Sequence, residues 1–281
     1  MLAGLLTAPR QIQLVETPEP VLPPADQSPG MILFQPEMTC LCGSDLPYFD
    51  GDFEGHPVEY PQPVGMSLHE MVGTVVDTNG SRWQRGQRVL AVPIGQQGLF
   101  ERFVLPESRA VALHPGLSDE MAMLAQPFGT VVHALKKLPN MIDRDVVVLG
   151  QGPIGQMFNA GLRNLGARRI IGIDPLPARL RASQQMGATH TVCARGIDAE
   201  QSVRELLDGQ LPEFVIEAVG HKAQAFNDAV RLVRDYGTVL FFGVPPHSID
   251  NAALRALMWK DRKSTRLNSS HSSVSRMPSS A

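Results

Sequence analysis

Cysteine is scarce in these 281 residues, with Cys40, Cys42 and Cys193 as the whole complement. Three thiols cannot build a disulfide framework, so a stapled secreted scaffold is excluded and a reducing, cytoplasmic setting is expected. Surplus charge is equally scarce. The net charge is −3, which gives no reason to expect nucleic acid or another polyanion as partner. Long apolar runs are missing too: Val146–Leu149 and Val239–Val244 are short or broken by glycine, so no membrane span is expected. Residues 1–10 hold no basic segment leading into an apolar core, and a signal peptide is not expected. What is present is 43% hydrophobic residues, enough at this length for two domains with separate cores.

Proline shapes the first part of the chain. Pro18, Pro20, Pro23, Pro24 and Pro29 forbid long helices there. Short apolar runs at Met31–Phe34, Met71–Val76 and Val89–Val92, with turn signals such as Asn79-Gly80, predict a barrel-like β-rich domain over residues 1–118. The pattern changes after Gly116. Ser118 reads as a helix N-cap with Asp119 and Glu120 in the first turn, and a second helix is expected over Gly129–Leu138. Strands are then predicted at Asp145–Leu149, Ile170–Asp174, His190–Val192, Phe214–Val219 and Gly237–Val244. Helices at Ile154–Leu165, Leu176–Met186, Ala199–Leu207 and Ala223–Arg234 separate them. Such alternation predicts an α/β domain over 119–260, a doubly wound parallel sheet covered on both faces. Residues 261–281 are serine-rich, basic and without apolar periodicity. They have the character of a translated library adapter and are set aside as a non-native, disordered tail.

The run Gly150-Gln151-Gly152-Pro153-Ile154-Gly155 follows a predicted strand and opens a helix, so it presents backbone N–H groups to a pyrophosphate. Gly150 permits the tight turn, Gly152 lets the backbone approach the ligand, and Gly155 lets the helix pack on the sheet. Asp174 ends the next strand, nineteen residues after Gly155. Its carboxylate would accept from ribose hydroxyls and repel a 2′-phosphate, which favours NAD over NADP; Arg168 and Arg169 are poorly placed to reverse that preference. Upstream, Cys42-Gly43-Ser44-Asp45 and His69-Glu70 offer a thiolate, an imidazole and a carboxylate, the ligand types of a zinc site with an open position.

Taken with Val72-Gly-Thr-Val-Val76, Gly86-Gln-Arg-Val89 and Pro127 to His133-Ala134, these motifs resemble the zinc-dependent medium-chain dehydrogenase/reductase family. The likeness is to its alcohol and sorbitol dehydrogenase-like branch and covers residues 1 to about 260. The resemblance implies a GroES-like catalytic domain followed by a Rossmann domain. It implies Cys42 and His69 as ligands of one catalytic zinc, Ser44 as the hydroxyl that relays the substrate proton, and Asp45 as the carboxylate that orients His69. It further implies Arg179 beside the adenosine ribose. The third ligand is read as Glu70, because Cys42 thiolate, neutral His69 and Glu70 carboxylate would leave Zn²⁺ formally neutral, whereas Gln126 would leave it at +1. Gln126 is placed at the edge, holding a water or the substrate oxygen.

Departures from the family pattern are also present. Pro47 stands where many relatives place a relay histidine, and the lobe of four cysteines that binds a structural zinc is absent. Cys40, Cys193 and His133 read as packing residues, His114 as a strand-end surface residue, and His56 as a possible substrate-facing group. Tyr48 and Phe53 read as either cleft wall or packing. The family would continue into a sixth Rossmann strand, so five strands with one open edge are expected here, from an oligomeric and longer parent. The activity implied is hydride transfer between a small alcohol or polyol and NAD. Two alternatives stand beside it: a metal-independent, quinone-reductase-like NAD(P)H oxidoreductase, and a catalytically inactive NAD-binding fragment.

Overall fold

The computed structural model describes residues 1–259, apart from 54, 246, 247 and 250, and the strand 263–266. It divides into two units, residues 1–127 and 128–270.

The first unit is mostly strand. Its elements are β1 (Leu2–Ala8), β2 (Gln11–Glu16), β3 (Met31–Cys40), helix α1 (Leu46–Asp50), β4 (Asp52–Phe53), β5 (His56–Pro57), β6 (Glu70–Thr78), β7 (Arg88–Ala91), β8 (Phe103–Pro106), β9 (Ala110–Ala112) and α2 (Asp119–Met123). An antiparallel sheet of order β8-β3-β6-β7-β9 forms the body, with the hairpins β1-β2 and β4-β5 beside it. Alternation along the strands sends Ile32, Phe34, Met71, Val75, Val89, Ala91, Phe103 and Leu105 into one apolar core. Strand β3 is longer than its apolar run suggests, because it continues through Pro36 to Cys40. The β3–β6 register shifts between Pro36 and Met38, an irregularity that suits a residue with no N–H to give. Ser118 caps α2 by accepting from the Met121 N–H. Arg88 on β7 braces that helix start through Asp119 Oδ1 at 2.7 Å and the Leu117 carbonyl at 2.8 Å.

Helix α3 (Ala125–Leu135) begins four residues earlier than the pattern indicates and carries the chain across the division between the units. The second unit continues with β10 (Asp145–Leu149), α4 (Pro153–Asn164), β11 (Arg169–Ile173), α5 (Pro177–Gln185), β12 (His190–Val192), α6 (Gly196–Leu206), β13 (Phe214–Glu217), α7 (Ala223–Leu232), β14 (Thr238–Phe241), α8 (Leu254–Trp259) and β15 (Lys263–Arg266). The sheet runs β12-β11-β10-β13-β14-β15, with every described pair parallel. Both faces are covered. Val146, Val148, Ile170, Ile216 and Leu240 pack with Val131 of α3 and Phe158 and Leu162 of α4. Their strand neighbours Val147, Ile171, Val215 and Val239 pack with Val203 of α6 and Ala229 of α7. That division is the period-two alternation of strands buried on both sides.

One expectation about this sheet is corrected. Strand β14 is not left as an open edge, because Lys263–Arg266 pairs with it from Thr238 to Phe241. Those four residues come from the segment set aside on composition. The reason lies in the backbone: an open parallel edge offers main-chain donors and acceptors, and pairing with them makes little demand on side chains. The rest of the expected disordered tail, 261–262 and 267–281, lies outside the described residues. No helix among the described residues is long and apolar enough to cross a membrane.

Candidate functional site

The antiparallel register of β3 and β6 builds the candidate site of the first unit. Cys40 at the end of β3 is paired with Glu70 at the start of β6. Cys42 therefore leaves one strand two residues beyond the point where His69 and Glu70 enter the other. One ligand atom from each of Cys42, His69 and Glu70 lies within 4.8 Å of the others. His69 is fully buried and Glu70 is 4% exposed.

Asp45 braces two of the three. It stands at the start of α1 with Oδ2 accepting from the Cys42 N–H at 2.8 Å and Oδ1 on His69 Nδ1 at 3.1 Å. A carboxylate on Nδ1 fixes the imidazole tautomer and presents Nε2 to the pocket. There Nε2 meets Ser44 Oγ at 3.5 Å and Glu70 Oε1 at 3.9 Å.

The electrostatics fit a divalent cation. Burial lowers the His69 pKa, but hydrogen bonds to Asp45 and Cys42 outweigh it and lift the value to about 10. Burial also raises the Glu70 pKa, with Asp45 adding to the rise against the opposing pull of His69 and Cys42. Two buried carboxylates and a thiol thus crowd one imidazole. A soft thiolate, an imidazole and a carboxylate are the donors that zinc accepts.

Other residues flagged from the sequence fall around or away from this cluster. Pro47 is buried in the first turn of α1. Tyr48 and Phe53 pack edge to face at 5.0 Å. Gln126 is buried in the first turn of α3, and His56 is exposed on β5. His114 is exposed, as its strand-end position suggests. Three packing assignments are corrected: Cys40, Cys193 and His133 are exposed. Cys40 is the last residue of β3, where the ladder ends. Cys193 follows the three-residue β12, and His133 takes the outer face of α3.

The second unit carries a candidate site of its own. Gly150 leaves β10 at φ +91°, its N–H donating to the Ile173 carbonyl at 2.9 Å. Gly152 caps α4, and a side chain added there would meet nothing within 4 Å, so the backbone lies open to a ligand. Pro153 and Ile154 begin the helix, whose N-terminus favours an anion. Asp174 follows β11 and is 2% exposed. It accepts from the Gln151 N–H at 2.9 Å and the Leu176 N–H at 2.9 Å. Arg179 approaches the same carboxylate at 3.3 Å. Arg168 and Arg169 are both engaged with Asp145 at the opposite, N-terminal end of the sheet.

Sequence reasoning missed Glu217, a buried carboxylate at the end of β13 whose Oε1 accepts from the Val219 and Gly220 N–H groups at 2.7 and 2.9 Å. A carboxylate closing an otherwise apolar strand was the available signal. Burial pushes its pKa up, against the backbone N–H groups of Gly220, Val219 and Gly243. The folded chain therefore keeps this proton where the unfolded chain has released it, so stability falls as pH rises from the ordinary carboxylate value through the raised one. Glu217→Gln should remove that part of the pH dependence. Thermal unfolding from about pH 5 to about pH 8 should show the melting temperature of the unsubstituted chain falling relative to that of the variant as pH rises.

The comparisons with known proteins bear on the family and the fold. Residues 28–122 match the alcohol dehydrogenase GroES-like domain, and residues 153–277 match the zinc-binding dehydrogenase domain. An L-threonine 3-dehydrogenase of Alteromonas mediterranea is 27% identical over 271 residues, covering 86% of this chain and 76% of its own. That of Chromobacterium violaceum is 28% identical over 275 residues, covering 87% and 77%. Among solved structures, the alcohol dehydrogenase TADH from Thermus sp. ATN1 superposes with a TM-score of 0.80 at 26% identity, covering 95% of this chain and 84% of its own. Galactitol-1-phosphate dehydrogenase from Escherichia coli, at 18% identity and a TM-score of 0.79 over 95% and 82%, shares the fold. With a converging Cys42, His69 and Glu70 in one matched domain and the glycine turn at the head of the other, the chain belongs to the zinc-type medium-chain dehydrogenases.

Proposed function

We propose that this chain is a zinc-dependent oxidoreductase that moves hydride between the carbinol carbon of a small alcohol or polyol and NAD. The observation that carries the reading is the convergence of Cys42, His69 and Glu70 donors within 4.8 Å in a largely buried pocket braced by Asp45. Cys42, His69 and Glu70 would hold the ion. Zinc bound there supplies Lewis acidity towards an alcohol oxygen, and NAD supplies the hydride acceptor.

The chain's own residues do the remaining work. Asp45 keeps the His69 ring in one tautomer and fixes the Cys42 backbone, so two donors keep their places when substrate arrives. Ser44 Oγ, beside His69 Nε2, takes up the proton released by the substrate hydroxyl and passes it towards water. Pro47 carries no ionisable group, so proton exit beyond Ser44 runs through solvent. The turn at Gly150–Gly155 holds the pyrophosphate, while Asp174 and Arg179 hold the adenosine ribose. Three free thiols suit a reducing compartment, and we place the protein in the cytoplasm on that ground.

L-threonine is the first substrate to try, given the relatives, followed by short polyols and secondary alcohols. The test joins elemental analysis of protein purified without added metal to an assay of NAD reduction. About one zinc per chain, with turnover lost on chelation and recovered on adding zinc, is the expected result. Full turnover by zinc-free protein would overturn the reading.

A further inference from the structure

The turn Gly150–Gly155 rests on a polar network that the apolar packing around it does not require. Gln151 is 1% exposed, yet every polar group it owns is engaged. Its N–H donates to Asp174 Oδ2 at 2.9 Å, and its carbonyl accepts from Gln156 Nε2 at 3.0 Å. Its side-chain Nε2 donates to the Val148 carbonyl at 2.8 Å. Its Oε1 accepts from Asn159 Nδ2 and Ser183 Oγ, each at 2.7 Å. Asn159 and Ser183 are fully buried. One carboxamide thereby joins β10, α4 and α5, while the same residue's backbone reaches Asp174.

Room for that carboxamide comes from a strand position. Gly172 lies in the interior of β11, where glycine is otherwise a poor choice. A Cβ at residue 172 would sit 2.8 Å from Gln151 Cδ and Oε1. Two buried amides, a buried hydroxyl and a glycine therefore fit one another at a spot that leucine or alanine could fill. Gln151 is satisfied at every polar atom, while Asn159 Oδ1 and Gln156 Oε1 have no partner among the described residues. A buried amide held at all its groups is confined to one arrangement. The arrangement specified here is that of Gly150 and Gly152, which flank Gln151, and of the Asp174 carboxylate.

We propose that Gln151, held by Asn159 and Ser183, is the positioning residue of the dinucleotide site: it fixes the glycine turn and Asp174 in their binding geometry before NAD arrives. The inference rests on the NAD reading above. Preorganisation of this kind raises affinity by removing the cost of ordering the site during binding. It acts on the adenosine half of the cofactor, so it governs how tightly NAD is held more than how fast hydride moves.

The test is NADH binding by fluorescence titration, which needs neither zinc nor an alcohol. Gln151→Met keeps the length and volume of the side chain and the backbone bond to Asp174, while deleting the side-chain hydrogen bonds to Val148, Asn159 and Ser183. Its NADH Kd should rise about tenfold or more. The KM for NAD should rise with it, by more than kcat falls at saturating NAD. Ser183→Ala, which removes one hydroxyl and endangers the fold least, should raise Kd about threefold. Gln151→Met combined with Asn159→Leu replaces both amides by apolar groups and should recover the melting temperature without recovering NADH affinity. A Kd within twofold of the unsubstituted chain for Gln151→Met, or affinity recovered in the double variant, would overturn the proposal. Failure of the unsubstituted chain to bind NADH is a separate result, which would remove the NAD reading and this inference together.

Discussion

Cys42→Ser should leave a folded chain that binds NADH but carries no zinc and turns over no alcohol. A serine hydroxyl stays protonated near neutral pH and is a far weaker donor to zinc than a thiolate. With the thiolate gone, His69 and Glu70 are left as a two-point site. Loss of a Lewis acid removes several kcal/mol of transition-state stabilisation, and each 1.36 kcal/mol is tenfold in rate. The expected fall in kcat/KM is therefore about a thousandfold or more, with zinc dropping from about one equivalent to traces. The variant should still fold, because Cys42 lies on a loop after β3 and is only partly buried. Elemental analysis, steady-state kinetics and an NADH titration on one preparation would check all three parts. Zinc retained with full turnover would show that Cys42 is not a ligand.

Gly155→Val should produce the opposite pattern: zinc kept, NADH binding lost. A Cβ at residue 155 would lie 2.0 Å from the Gly150 carbonyl oxygen and 3.0 Å from its carbonyl carbon. Both are backbone atoms of the turn itself, so no side chain can swing aside. Helix α4 must move off the end of β10, or the turn must open. Either change breaks the approach of backbone N–H groups to a pyrophosphate. Overpacking at such a point costs about 1–3 kcal/mol or more, and the two further methyl groups of valine add to it. NADH affinity should fall about a hundredfold or more, with a lowered melting temperature. Metal content should hold, since Cys42, His69 and Glu70 all belong to residues 1–127. Undiminished NADH binding would mean that the turn tolerates a helix shift.

How much of this was readable from the chain depended on the range of the interaction. The five Rossmann strands and their helices were legible because each is set by local periodicity and bounded by glycine or proline; His190–Val192 falls on the residues expected. The pairing of Cys42 with His69 was legible as chemistry, since few residue types ligate zinc. The reason they meet, the pairing of Cys40 with Glu70 across β3 and β6, is a register fact, and one sequence does not fix register between strands 30 residues apart. The same limit hid the Gln151 network, whose Ser183 contact spans 32 residues. Burial of small polar residues was misjudged for a related reason: Cys40 and Cys193 resemble packing residues by type but sit at strand ends. Strand β15 was missed because backbone pairing, rather than side-chain pattern, places it.

The β3–β6 ladder bears on how the protein exchanges its metal. The donors sit at adjoining ends of two strands that are zipped together over eight residue pairs, from Ile32–Thr78 to Cys40–Glu70, so the scaffold's assembly is already accounted for by peptide hydrogen bonds and the core around Phe34 and Val75. Zinc-finger peptides work the other way, gaining their fold from the ion and losing it to a chelator. In this chain the ladder and the core are expected to hold the architecture without the ion. Removal of the ion is then expected to leave the sheet standing, which circular dichroism before and after chelation would check.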